Sequence, residues 1–371
     1  MAGARLSAAL IVRDEERFLE GCLRSLGGRV DEIVVVDTGS TDRSREIARD
    51  LGARVLEYAW TNDFAAARNA ALDAARGEWI LYIDADERIV EFDHSALAPL
   101  LADPRHVCYT VLFRPAVGYT RYREYRLFRN HPGLRFRGLI HESLLPALAE
   151  VCEREGRAVG ESPVALDHLG YEGDLSHKHR RNLPLLRARL AVDPAHVYSW
   201  DHLGTTLLGL GDEAAAEDAW RRGVEAVRQA PTVTPVEGLP YLHLARFLVE
   251  RGRDALALLD EACRRFPDDH SLAWLRARCL TDAGDYAGAM PLFARLAAID
   301  PDTLAGGQVA YDASIFGAQA YAALGFCAFR LGRYADSAAQ YARAEALAPG
   351  DIAIRTRRML AEAQARPPSG A

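Results

Sequence analysis

A chain of 371 residues with a formal net charge of −7 and 49% hydrophobic residues has room for two domains, each with its own core. The acidic balance argues against a general nucleic-acid binder, which carries excess Lys and Arg to neutralise phosphates. No run approaches the ~20 apolar residues of a membrane span, and six scattered cysteines without a CxxC pair read as reduced thiols in a cytoplasmic protein.

The first ninety residues alternate between two periods. Residues 6–12 (LSAALIV) are continuously apolar, as in a parallel strand covered on both faces. Phe18, Leu19, Cys22, Leu23 and Leu26 then fall at helical spacing, and Gly27-Gly28 ends that helix. Residues 32–37 (EIVVVD) form a second buried strand, and Ile47, Ala48 and Leu51 mark a helix closed by Gly52. A third strand spans 54–58, an Ala-rich helix 63–77 with Gly77 as its stop, and a fourth strand 78–83. This order predicts parallel strands with right-handed crossovers, a doubly wound α/β sheet whose ligands bind beyond the carboxyl ends of the strands. Those ends carry Arg13-Asp14, Asp37-Thr38-Gly39-Ser40 and Asp84-Ala85-Asp86. From about residue 107, aromatic and β-branched alternation predicts antiparallel strands, followed by LRFRGLIHESL (134–144). The second half is Ala/Leu/Arg-rich and repetitive. Its helix–turn–helix units of ~34 residues match the tetratricopeptide pattern and predict a short solenoid. The expected domains are 1–175, 176–350, and a helix end with a disordered tail over 351–371.

Chemistry concentrates at the strand ends. In an extended segment Asp84 and Asp86 point the same way, so they can share one hard divalent cation such as Mn²⁺ or Mg²⁺ that also bridges substrate phosphates. A DxD alone is more often a solvated acidic turn; its place after strand four reverses that preference in favour of the ligand role. Asp37 is suited to accept hydrogen bonds from a base or ribose, while one of Ser40, Thr41 and Asp42 caps the next helix. Arg13 sits on the same edge, whereas Glu15 and Glu16 suit the first turn of a helix and its dipole. Arg68 has the geometry to pair a diphosphate or a surface carboxylate, and Asn69 to fix a loop. His141 is a candidate metal ligand and Glu142 a candidate base. His168 and Tyr171 have a weaker case, and His177 and His179 read as part of a solvated basic helix.

ALIVRDEERFLEGCLRSL, DEIVVVDTGSTDRSREIA, WTNDFAAARNAALDAARGEWILYIDADE and RLFRN…FRGLIHESL together resemble family 2 glycosyltransferases. More narrowly, they resemble the branch with C-terminal tetratricopeptide repeats that includes peptide S-glycosyltransferases of glycocin biosynthesis. The resemblance implies a GT-A (Rossmann-like) catalytic domain, a nucleotide-diphospho-sugar donor such as a UDP-sugar, and inversion at the anomeric carbon. It implies a nucleotide-sugar set of Ile11, Arg13, Asp37, Arg68, Asp84 and Ala85, and a metal set of Asp84 and Asp86 with His141 as a further candidate. The Glu-Asp base motif of many relatives is absent, leaving Glu142 as the candidate base and Glu124 in reserve. The repeats offer a surface for a peptide or protein acceptor or for a homo-oligomer. A scaffold with an inactive transferase domain is the alternative. A dinucleotide oxidoreductase is disfavoured because VRDEER, not G-x-G-x-x-G, follows strand one.

Overall fold

The computed structural model describes residues 5–169 and 176–366. Tyr171, the boundary at 175 and the end of the expected tail, 367–371, lie outside the described residues.

In chain order the first part runs β1 (Leu6–Val12), α1 (Glu16–Leu26), β2 (Glu32–Asp37), α2 (Ser44–Asp50), β3 (Arg54–Glu57), α3 (Phe64–Ala74) and β4 (Trp79–Tyr82). It continues with β5 (Glu87–Glu91), α4 (His94–Ala102), β6 (His106–Arg114), β7 (Tyr122–Arg129), α5 (Leu145–Glu155), β8 (Ala158–His168) and α6 (Ser176–Val192). One sheet holds all eight strands in the order β3-β2-β1-β4-β7-β6-β8-β5. β1 lies parallel between β2 and β4, and β3 lies parallel on β2, as the alternating periods predict. β7 then joins β4 antiparallel and β6 joins β7, so the second half is mixed. β8 pairs parallel with β6, and β5 closes antiparallel on β8. The architecture is GT-A-like.

This order has a consequence for the acidic turn. The chain leaves the sheet after β4, at its middle, and re-enters as β5 at an edge. Asp84-Ala85-Asp86 is therefore the link across the carboxyl end of the sheet. Two apolar clusters cover the sheet's faces. One gathers Leu19, Leu23 and Leu26 of α1 with Leu10, Leu81 and Leu166. The other gathers Leu72 of α3 and Leu148 and Val151 of α5 with Val36, Ile80 and Phe128.

Gly77 is not the stop of α3. The helix ends at Ala74 and turns extended at Ala75. Gly77 instead lets the chain pass β1, where its N–H donates to Ser7 Oγ at 2.8 Å. A Cβ there would sit 2.7 Å from the Ser7 backbone nitrogen. The 134–144 stretch forms no strand; it is a loop closed by paired backbone bonds between Arg137 and Ser143.

The chain divides into two compact units. One gathers Met1–Val117, Arg121–Pro194 and Gly306–Gln308; the other gathers Gly118–Thr120, Ala195–Ala305 and Val309–Ala371. The first unit thus keeps α6, beyond the boundary at 175 drawn from the sequence. The basic start of α6 is partly solvated, with His177 exposed. The helix also buries Leu185, Leu186 and Leu190, and its Arg181 guanidinium lies 5.1 Å from the centre of the Phe64 ring.

The second unit is helical: α7 (Val197–Gly209), α8 (Glu213–Gln229), α9 (Leu239–Glu250), α10 (Leu256–Arg265), α11 (His270–Asp282), α12 (Tyr286–Ala297), α13 (Gly317–Arg330), α14 (Tyr334–Leu347) and α15 (Ile352–Ala365). A Gly-acid turn explains two of its hairpins. Gly211 and Gly284 take φ of 85° and 83°, a region that favours glycine. Asp212 and Asp285 then cap α8 and α12 by accepting from Ala215 and Gly288 N–H. A small residue of the first helix faces an aromatic residue sixteen positions later. A Cβ on Gly204 would come within 2.4 Å of the Trp220 indole, and one on Gly325 within 2.9 Å of the Tyr341 ring. Ala277 and Phe293 occupy the same places in α11 and α12, both buried.

Among the described residues, no helix is long and apolar enough to cross a membrane. All six cysteines are free thiols.

Candidate active site

β1 and β2 end side by side, with Val12 opposite Asp37, and the turns after them brace each other. Asp14, at φ 54°, accepts the Thr41 N–H at 2.7 Å and the Thr41 hydroxyl at 3.1 Å. Ser40 Oγ accepts the Asp14 N–H at 3.0 Å, and Ser44 Oγ accepts the Glu15 N–H at 2.8 Å. Asp42 accepts from Ser44 N–H and from Glu16 N–H, both at 2.9 Å. The N-cap position of α2 falls to Arg43, which makes no side-chain cap bond, rather than to Ser40, Thr41 or Asp42; Asp42, one residue earlier, ties the first helical N–H of α2 to the start of α1. Inside this frame Asp37 is 2% exposed. Its Oδ1 accepts from Gly39 and Ser40 N–H at 3.2 and 3.1 Å. Its Oδ2 is buried with no hydrogen-bond partner among the described residues. A buried carboxylate oxygen left unpaired is costly; a ligand donor would satisfy it. Arg13 lies on the same edge, partly exposed, with Asp14 Oδ2 3.9 Å away. Ile11 is half-buried on β1 and packs toward the α3 side of the sheet.

The two acids of the DxD have different partners. Asp84 Oδ1 accepts from Arg68 at 2.9 Å, and Arg126 stands 3.9 Å from Oδ2. Burial works to raise the Asp84 pKa, but Arg68 and Arg126 outweigh it and hold the carboxyl below its ordinary value. Asp86 Oδ2 lies 3.2 Å from His168 Nε2 at the end of β8. Burial opposes charge on His168, yet the Asp86 bond and charge raise its pKa. Ala85 between them is buried.

Beneath the turn, Arg126 of β7 grips Glu87 of β5 with two bonds of 3.0 and 3.2 Å. Glu87 Oε2 also accepts the Asp84 N–H at 2.8 Å, and Glu87 N–H donates back to Asp84 O at 3.0 Å. Burial raises the Glu87 pKa, with Arg126 opposing. Arg126 and Arg68 both lie over Tyr82, 4.3 and 5.0 Å from its ring centre. Glu124 has both oxygens engaged, one by Arg126 Nε and one by the Tyr122 hydroxyl.

α3 brings the 134–144 loop to the same place. Phe64 N–H donates to Leu139 O at 3.0 Å. Asn69 pairs with both backbone groups of Phe136, at 3.0 and 2.9 Å. Glu142 thereby meets Arg68 Nε, so Arg68 links Glu142 to Asp84. His141 adopts φ 52° in this loop.

Glu15, Glu87 and Arg126 belong to the site although the sequence reading gave them no ligand or positioning role. Glu15 ends up half-buried, its pKa raised to about 7 by burial and then by Asp86. Its neighbour charges, Lys178 and Arg181 of α6, lower it. The available signal was weak: an acid directly after a DxD, and an arginine in a strand of aromatic residues. No group of three or more His, Cys, Asp or Glu among the described residues forms a metal cage on its own.

Residues 7–150 match the model of glycosyl transferase family 2, and residues 248–302 match a tetratricopeptide repeat model. The chain carries a family 2 glycosyl transferase domain. A TPR repeat-containing protein of Synechococcus elongatus is 36% identical over 62% of this chain and 59% of its own length. The SPbeta prophage-derived glycosyltransferase SunS of Bacillus subtilis is 28% identical over 51% of this chain and 46% of its own. The lipopolysaccharide core biosynthesis glycosyltransferase LpsC of Rhizobium meliloti is 32% identical over 44% of this chain and 65% of its own. This chain thus spans about half the length of the first relatives it matches, 59% and 46%.

Proposed function

We propose that this chain is an inverting glycosyltransferase that moves a sugar from a nucleotide-diphospho-sugar, foremost a UDP-sugar, to a peptide or protein acceptor, with Mn²⁺ or Mg²⁺ as cofactor. The observation that carries the reading is the 3.2 Å approach of Asp86 to His168, beside an Asp84 already held by Arg68. One carboxylate and one imidazole suit a cation that draws its remaining ligands from a diphosphate. Asp86 and His168 would hold that cation, and Asp84 would be oriented by Arg68. When bound, the cation neutralises charge that builds on the leaving diphosphate.

The protein's own groups account for the rest. Asp37 Oδ2, buried and unpaired, would accept from the ribose or the base. Displacement forms the bond from the acceptor heteroatom to the anomeric carbon and breaks the carbon–oxygen bond to the diphosphate. Glu142 would take the acceptor proton; Glu124, with both oxygens engaged, is less suited. Arg68 would orient Glu142 through the contact from its Nε.

Thermal stability against a panel of nucleotide sugars, each with Mn²⁺ and with chelator, tests the reading. Ligands that bind only the folded state raise the apparent melting point. A metal-dependent shift with one donor is expected, absent in Asp86→Ala. An undiminished shift in Asp86→Ala would remove Asp86 from the metal site. No shift and no transfer with any donor would favour the scaffold alternative.

A further inference from the structure

The backbone carbonyls of the acidic turn are all engaged. Asp84 O accepts the Glu87 N–H at 3.0 Å and the Cys22 thiol at 3.4 Å. Asp86 O accepts the Leu169 N–H at 2.8 Å. Ala85 O and Glu87 O both accept from one terminal nitrogen of Arg88, at 3.2 and 2.7 Å. The other terminal nitrogen of Arg88 reaches a different element and donates to Phe18 O of α1 at 2.6 Å. A guanidinium is planar and carries its donors in a fixed fork. It therefore sets the separation of the carbonyls it joins, which a single flexible ammonium would not.

α1 is shaped to receive this side chain. Phe18, Gly21, Cys22 and Ser25 fall at i, i+3, i+4 and i+7 and share one face of the helix. Phe18 meets the segment 84–89 through its carbonyl and Cys22 through its thiol, while Ser25 Oγ accepts the Ile89 N–H at 3.2 Å. At Gly21 the guanidinium lies directly on the helix. A Cβ there would come within 2.5 Å of Arg88 Nη2, 2.7 Å of Nε and 2.8 Å of Cζ. Glycine inside a helix is unfavourable relative to alanine, and the room it leaves here is filled by Arg88. The first turn of α1 is fixed separately, by Ser44 and Asp42 accepting from the Glu15 and Glu16 N–H groups, in the frame that holds Asp37. One helix thus joins the two halves of the proposed donor site, and Arg88 seated on Gly21 is its join to the DxD.

We propose that Arg88 is a positioning residue for the donor: seated on Gly21, it sets the distance between the Asp37 frame and Asp84-Ala85-Asp86, so that one nucleoside diphosphate reaches both. This rests on the nucleotide-sugar reading above and adds two residues to it. Arg88 acts through the backbone of the turn and not through the ligand. An error of about 1 Å in such a spacing can cost about a hundredfold. The loss falls on a ligand that spans both halves, not on one that occupies the Asp37 half alone.

The test uses the full chain and two variants. Gly21→Ala pushes the guanidinium off its seat while improving helix propensity, and Arg88→Met removes it. Calorimetry compares UDP with Mn²⁺ against uridine. UDP affinity should fall at least about tenfold in each variant with uridine affinity kept. G21A/R88M should bind no more weakly than R88M, since the added methyl then displaces nothing. Hydrogen exchange without ligand reads the hold directly. The Glu87 and Leu169 amides, bonded to Asp84 O and Asp86 O, should exchange faster in both variants, and those of β2 should not. Undiminished UDP affinity, uridine and UDP weakened by the same factor, or wild-type exchange of those two amides in the folded variants would each overturn the proposal. If the amides respond as expected but the wild-type chain binds no UDP with Mn²⁺, the donor reading fails and takes the positioning role with it, an outcome that the exchange data separate from a failure of the Arg88 contacts.

Discussion

Replacing Arg126 by Met should destabilise the sheet edge under Asp84 and Asp86 by about 3–5 kcal/mol. The magnitude follows from what the substitution leaves behind. Arg126 makes two bonds to Glu87, at 3.0 and 3.2 Å, and one to Glu124. Glu87 is 1% exposed, so after the change its carboxylate has no water to turn to. Charge-assisted bonds contribute about 1.5–3 kcal/mol each at most, but their sum overstates the net value of a buried pair, whose desolvation cancels much of it. The stranded carboxylate dominates. Neutralising it as well should therefore return stability: the double variant R126M/E87Q is expected to lie about 1–3 kcal/mol above R126M. Gln retains an oxygen that can still accept the Asp84 N–H. Local opening free energies of the β4 and β5 amides, from native-state hydrogen exchange on the four proteins of the cycle, separate this effect from unfolding of the repeats. A loss below 1 kcal/mol in R126M, or a double variant no more stable than R126M, would refute the argument.

Asp37→Asn preserves an acceptor for Gly39 and Ser40 while replacing the unpaired Oδ2 by a donor. Calorimetric affinity for UDP should fall about tenfold or more, and equal affinity would remove Asp37 from the nucleoside site. Gly204→Ala forces a methyl to within 2.4 Å of the Trp220 indole. It should cost about 1–3 kcal/mol by overpacking, whereas Gly350→Ala, with nothing within 4 Å of its Cβ, should cost none; equal melting points for the two would contradict the packing. Glu261 is pulled down from 4.5 to about 2, chiefly by its hydrogen bond from Arg228. A depressed carboxyl stabilises the fold above its unfolded value and loses that contribution as pH falls from about 4.5 toward 2. Glu261→Gln should flatten the stability of the repeat unit across that window, and an unchanged slope would argue against the pairing.

The parallel half of the sheet was legible because β1 and β2 are apolar on both faces and helices closed by glycine separate them from the weaker strand β3. β1 and β2 fall where the runs of residues 6–12 and 32–37 end. The mixed half was only partly legible. β5 is the strand Glu87–Glu91, too short and too charged to announce itself, and its partner β8 lies almost eighty residues further on. Gly77 misled for a related reason. Its role depends on Ser7, which approaches it from a distant part of the chain, and a helix stop is the only explanation visible locally. The repeats were legible from their text because each helix–turn–helix unit recurs at about 34 residues; the packing of Gly204 on Trp220 and of Gly325 on Tyr341 needed the structure.

The acidic turn shows where a motif ends and tertiary structure begins. The spacing of Asp84 and Asp86 implies two equivalent carboxylates turned to one ion. Their partners are not equivalent. β4 ends beside β7 and α3, so Asp84 meets Arg126 and Arg68. The chain then crosses to β5, whose pairing with β8 places Glu87 opposite His168 and brings Asp86 to the imidazole. Two guanidiniums compensate the first acid before any ligand arrives, whereas a histidine that must be neutral to ligate a cation faces the second. The same two-residue spacing therefore divides into one carboxylate held between two guanidiniums and one set against an imidazole.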